Sequence, residues 1–154
     1  MNLSPHFTLE EMTASNEAAR RRLDNSPSVA QVANLRRVAQ ILEAIRTQTQ
    51  RPVVVSSGYR SPEVNKAVGG SATSAHMQGL AADINCYPYS PFDLGRLIVK
   101  AGIEFDQLIQ EGTWLHVGLA AAGVKPRQEL LTAVFTKDLL GRTKTTYKAG
   151  WFPK

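Results

Sequence analysis

In "SVAQVANLRRVAQILEAIRTQ", residues 28–48, the side chains Val29, Val32, Leu35, Val38, Leu42 and Ile45 recur at three- and four-residue steps. That spacing gathers them on one face of a helix. The only cysteine, Cys86, cannot close an intramolecular disulfide, so this apolar face has to be stabilised by packing alone. A chain of 154 residues that is 43% hydrophobic and 20% charged can supply the rest of such a core, and it reads as one domain over 1–154.

The remaining elements alternate between helix and strand. Thr8 with Glu11 and Ser28 with Gln31 fit capping boxes, each opening a helix. "PVVVSS" (52–57) reads as a buried strand, and Ser61-Pro62 and Ser90-Pro91 as starts of further helices, the second stopping at Gly102. "LAADIN" alternates with period two, so Leu80, Ala82 and Ile84 face the core while Ala81, Asp83 and Asn85 face away from it. "FDQLIQE" and "WLHVGL" flank Gly112-Thr113, a two-residue loop with glycine first, which predicts a hairpin. Pairing Glu111 with Trp114 sets Ile109 opposite His116 and puts Gln107, Ile109, Glu111, Trp114 and His116 on one face. Asp106 and Leu115 fall on the other.

The net charge of +5 favours polyanionic surroundings. Its densest cluster, Arg20, Arg21 and Arg22, reads as a solvated helix face, and no basic and aromatic alternation of the kind that grips nucleic acid accompanies it. The first residues carry charges from Glu10 onward and no apolar run, so neither a signal peptide nor a membrane span is expected, and the protein is expected to stay in the cytoplasm until released. His6 sits in a polar tail and has no assigned role.

His76, Asp83 and His116 form a two-histidine, one-carboxylate set. Such a set suits a zinc ion whose fourth position is left to water. Spacing alone leaves each of them equally open to an ordinary reading as a satisfied core or surface residue.

"SAHMQGLAADI" fits S-x-H-x-x-G-x-A-x-D at Ser74, His76, Gly79, Ala81 and Asp83. With upstream "SSGYRSPEVN" and downstream "WLHVG", it resembles the zinc peptidases that include D-alanyl-D-alanine carboxypeptidases, VanX-like dipeptidases and bacteriophage L-alanyl-D-glutamate endopeptidases. The resemblance runs from about Val53 to Leu119, and "LSPHFTLEEMTAS" is similar to the start of phage members. It implies an α+β fold of the hedgehog and DD-peptidase type, a small antiparallel sheet with helices packed mainly on one face. It implies that His76, Asp83 and His116 bind one zinc ion, and that Arg60 and Ser74 hold the carboxylate or peptide groups of a peptidoglycan stem peptide. An acid just before the last histidine would be the catalytic base. Many members place that acid three residues before the histidine, where this chain has Thr113. The face argument favours Glu111 over Asp106.

Apart from the resemblance, Arg60 reads equally as a surface arginine and Ser74 as a loop-turn serine. The leading expectation is a monomeric zinc endopeptidase of phage or prophage type, acting on the cell wall and cutting between L-alanine and D-glutamate. A D-alanyl-D-alanine carboxypeptidase, and a non-catalytic relative keeping the zinc site as hedgehog-type signalling domains do, are the alternatives. A nucleic-acid-binding module is disfavoured, since no reader motif accompanies the charge, and no membrane insertion is expected.

Overall fold

The computed structural model describes residues 1–151. Its first residues are a small hairpin and not a free tail: β1 (Asn2–Ser4) pairs antiparallel with β2 (Phe7–Thr8), burying Leu3 and Phe7. His6, in the turn, uses its backbone N–H and its ring Nδ1 to hold both carboxylate oxygens of Glu43, at 2.9 and 2.7 Å. The capping box of Thr8 and Glu11 opens α1 (Leu9–Thr13). The single helix expected here is two, because Ala14 is extended and Ser15 caps a new one, α2 (Asn16–Arg21). Arg20 and Arg21 are exposed and bonded to Glu17, as a solvated face predicts.

The second capping box, Ser28 with Gln31, opens α3 (Val29–Thr49). Leu35, Val38, Ala39, Leu42 and Ile45 are fully buried, whereas Val29, first in the apolar series, lies in solvent because the stripe starts one turn before the core does. β3 (Val54–Ser57) follows and is an edge strand. Its Val54 is 50% exposed, so the apolar run "PVVV" does not mark a strand buried on both faces. α4 (Pro62–Ala67) starts at Ser61 with proline in its first turn, where the missing N–H removes no helical bond. A single 3-10 turn at Ala75–Gln78 leads into β4 (Ala81–Asn85), and α5 (Pro91–Lys100) runs from the Ser90 cap to Gly102, whose φ is +70°. β5 (Gln107–Glu111) and β6 (Trp114–Gly118) make the expected hairpin with Glu111 opposite Trp114 and Ile109 opposite His116. Positive φ occurs at Gly112 and not at Thr113, so the loop needs glycine at its first position only.

Beyond the last element expected from the sequence come β7 (Glu129–Lys137) and β8 (Thr143–Ala149), completing a six-stranded sheet in the order β3-β4-β6-β5-β7-β8. The class is α+β, as expected, but the sheet is mixed, since β7 pairs parallel with β5. The chain from β6 must pass over to the far side of β5, and a strand reached that way arrives in the direction of β5. Asp106 secures the crossing: its carboxylate accepts from the Arg127 backbone N–H and guanidinium, both at 2.8 Å, and its carbonyl from Glu129 N–H at 2.9 Å.

Ala82, Ile84, Leu108, Leu115 and Val117 share one core with α3 and α5. The side chains between them in sequence, Asp83, Ile109 and His116, therefore emerge on the opposite face of the sheet. That face carries the site.

Candidate active site

Asp83 and His116 are direct cross-strand partners on β4 and β6. Side chains so paired have Cβ atoms about 4.5–5.5 Å apart, close enough to share one ligand. His76 reaches the same point from the 3-10 turn, which Ser74 caps by accepting from His76 N–H at 3.2 Å. The turn ends at Gly79, φ +70°, where an added Cβ would stand 2.7 Å from the Gln31 carbonyl oxygen of α3. Only glycine meets both the left-handed backbone and that approach. One ligand atom from each of His76, Asp83 and His116 lies within 4.8 Å of the others, and all three residues are buried.

Proton placement decides what this cluster can hold. His76 Nδ1 is 2.6 Å from the Gly58 carbonyl oxygen, which can only accept, so Nδ1 donates. In the neutral ring Nε2 then carries a lone pair, and it points at Asp83 Oδ1, 3.2 Å away. His116 Nδ1 is 3.1 Å from the same oxygen. Two acceptors can face each other at that distance only with a second proton on the ring or with a cation between them. A buried donor set of two imidazoles and one carboxylate, with one ring oriented by a backbone carbonyl, suits zinc. Burial pushes the Asp83 carboxyl upward, but the His116 and His76 rings, when they carry the second proton and donate to it, outweigh burial and hold the group well below the usual carboxylate range.

Around the cluster is a cleft of ≈ 660 Å³. Glu111 lines it, on the same face as His116, with its carboxyl raised above the ordinary glutamate value by burial and by the Asp83 carboxylate; His116 and Arg60 act the other way. Asp106 is on the opposite side of β5's alternation and is held by Arg127, which lowers its pKa. Arg60 lines the cleft beside His76, its backbone N–H bonded to the His76 carbonyl at 3.1 Å and its Nη2 3.4 Å from Ser74 Oγ. Its Nε is buried with no hydrogen-bond partner.

The sequence profile of the family described as Peptidase M15 matches residues 5–118. The chain belongs to that family. Members of peptidase family M15 depend on zinc, which agrees with the donor set assembled here, and their substrates are peptides. A search of curated proteins finds no match. Among the described residues, no helix is long and apolar enough to cross a membrane.

The structure thus brings together Arg60, Ser74, His76, Asp83, Glu111 and His116 and leaves Asp106 outside. Leu131, Arg127 and Tyr147 also line the cleft and were not singled out by sequence reasoning. "TKTTYKA" is rich in β-branched residues and follows a turn at "DLLG", a hairpin signal that would have placed Tyr147 on a strand.

Proposed function

We propose that this M15 peptidase hydrolyses the stem peptides of bacterial peptidoglycan, as an endolysin-type endopeptidase acting between L-alanine and D-glutamate. The observation that carries the peptidase reading is the lone pair of His76 Nε2 turned toward Asp83 by the Gly58 carbonyl, beside a cleft-lining carboxylate, Glu111. His76, Asp83 and His116 would hold zinc, with His76 and Asp83 directing Nε2 and Oδ1 to it. When bound, the ion supplies Lewis acidity to the scissile carbonyl and to the attacking water.

Glu111 takes the proton of that water and delivers it to the leaving amine. A carboxyl whose pKa is raised by burial is suited to accept the water's proton, because it binds a proton more readily than an exposed glutamate does. The Arg60 guanidinium, which lines the cleft, offers a planar set of donors to a substrate carboxylate. Ser74 Oγ holds Arg60 and the 3-10 turn in place. The choice of the L-alanyl-D-glutamate bond is supported by the likeness of "LSPHFTLEEMTAS" to phage members.

Digestion of purified peptidoglycan, with products identified by mass, tests this reading. Release of stem peptides with a new D-glutamate amine is expected; release of D-alanine alone would replace the endopeptidase reading with a carboxypeptidase. The Glu111→Gln variant should keep zinc and fold while losing roughly 10²–10⁴-fold in rate. Near-normal turnover there, with Asp106→Asn inactive, would move the base to Asp106.

A further inference from the structure

The cleft continues past Glu111 onto strands that lie outside residues 5–118. Ile109 on β5 faces Leu131 on β7, and the next residue of β7 on the same side, Ala133, is paired with Tyr147 on β8. The next residue on that side of β5 is Glu111. Across the sheet, the row beside the metal cluster therefore runs Trp114, Glu111, Ala133, Tyr147. Ala133 puts only a methyl group between Glu111 and Tyr147 in this row, and both of those residues line the cleft. Tyr147 lines the cleft and is 53% exposed, on the edge strand of the sheet. Burial and the Glu111 and Asp83 carboxylates raise its phenol, which keeps the hydroxyl protonated and able to donate at neutral pH.

The two ends of this cleft differ. Arg60, in the loop that follows edge strand β3, contributes a guanidinium beside His76 and Ser74. From β6 to β8 the other end crosses three strand spacings, about 14 Å at ~4.8 Å each. An extended peptide advances about 3.3–3.6 Å per residue, so that length accommodates about four residues.

We propose that the β7–β8 hairpin forms an extended subsite for substrate chain on the side of the scissile bond remote from Arg60, and that the Tyr147 hydroxyl fixes this chain by hydrogen bonding to its peptide backbone. The subsite rests on the peptidase reading and adds the substrate class: peptides several residues long, in preference to free dipeptides. Tyr147 is a specificity-determining residue, and the chemistry of bond cleavage does not pass through it.

The test compares the shortest cleavable stem peptide with the same peptide extended by three residues at each end in turn. For the unaltered protein one extension should raise kcat/KM. Tyr147→Ala should abolish that gain, and Tyr147→Phe should reduce kcat/KM for the extended peptide by about two- to tenfold through KM, the scale of one neutral hydrogen bond, leaving the short peptide unchanged. Thr146→Ala, on the other face of β8, should change neither. Equal losses on short and extended peptides, or no loss on either, would overturn the proposal while the peptidase reading stood. Calorimetric binding of the same peptides to zinc-loaded Glu111→Gln protein reads the contact without turnover. If the unaltered protein cleaves nothing, the peptidase reading fails, and a Tyr147→Phe loss of binding confined to the extended peptide would still support the subsite; equal binding would overturn it.

Discussion

Glu111 and Asp106 lie five residues apart on one strand and its approach, yet their carboxyls are shifted in opposite directions. For Glu111 burial disfavours the carboxylate; for Asp106 hydrogen bonds from Arg127 favour it. NMR titration of metal-free protein should show Glu111 above the ~4.3 of a free glutamate and Asp106 below the ~3.9 of a free aspartate. The sign also sets a stability effect. A depressed Asp106 stabilises the fold at pH above its unfolded value, and this contribution is lost as pH falls through the lower folded value. Asp106→Asn should therefore cost about 1 kcal/mol near neutrality, modest because Arg127 is largely exposed. Urea unfolding should find the two proteins converging in acid; a cost that persisted there would show that the loop, and not the charge, is responsible.

At the level of elements, legibility followed the length over which a pattern repeats. Asp83, His116, Glu111 and Trp114 fell on one face because strand alternation and a glycine-first turn fix register across a whole hairpin. The metal set was named from the motif, and its proximity needed the 3-10 turn and the Gly58 carbonyl, neither of which has periodicity. The valine run of β3 does not say whether a strand has one neighbour or two, and here it has one, leaving Val54 half exposed. The parallel placement of β7 depends on where a ten-residue crossing lands, fixed by the distant contact of Asp106 with Arg127. β8 is in turn held at its end by Trp151, whose indole donates to the Phe92 carbonyl at 2.9 Å and lies against Gly95 of α5. A Cβ at Gly95 would meet that ring at 2.1 Å, so no other residue leaves the indole where it is. Gly95→Ala should raise the helix propensity of α5 by about 1 kcal/mol and yet displace Trp151. Its indole N–H resonance should move toward the solvent-exposed position; an unchanged resonance would mean that α5 shifts instead.

For the molecule as a whole, the apolar core behind the sheet and the charged cluster in front of it contribute oppositely. Leu42 and Ile45 of α3 favour the fold without assistance, and Leu42→Ala should cost about 2–5 kcal/mol. The cluster brings two imidazoles and a carboxylate out of water, and a cation that binds only the folded chain offsets this. Zinc at 100 times its dissociation constant should add about 2.7 kcal/mol. Chelation should lower Tm in the unaltered protein, and the same treatment should leave Tm of His116→Ala nearly unchanged. A Tm insensitive to chelator in both would remove the metal from the account of stability.

The hairpin of β7 and β8 has one more consequence, for association between chains. β8 is an edge whose lysines, Lys144 and Lys148, discourage any further strand from adding. A chain cut back to the matched residues 5–118 would expose β5 instead, with "QLIQ" unpaired along one side and no lysine in it. Such an edge is a template for like strands, and the shortened protein is expected to form oligomers or fibres that light scattering would register within a concentration series.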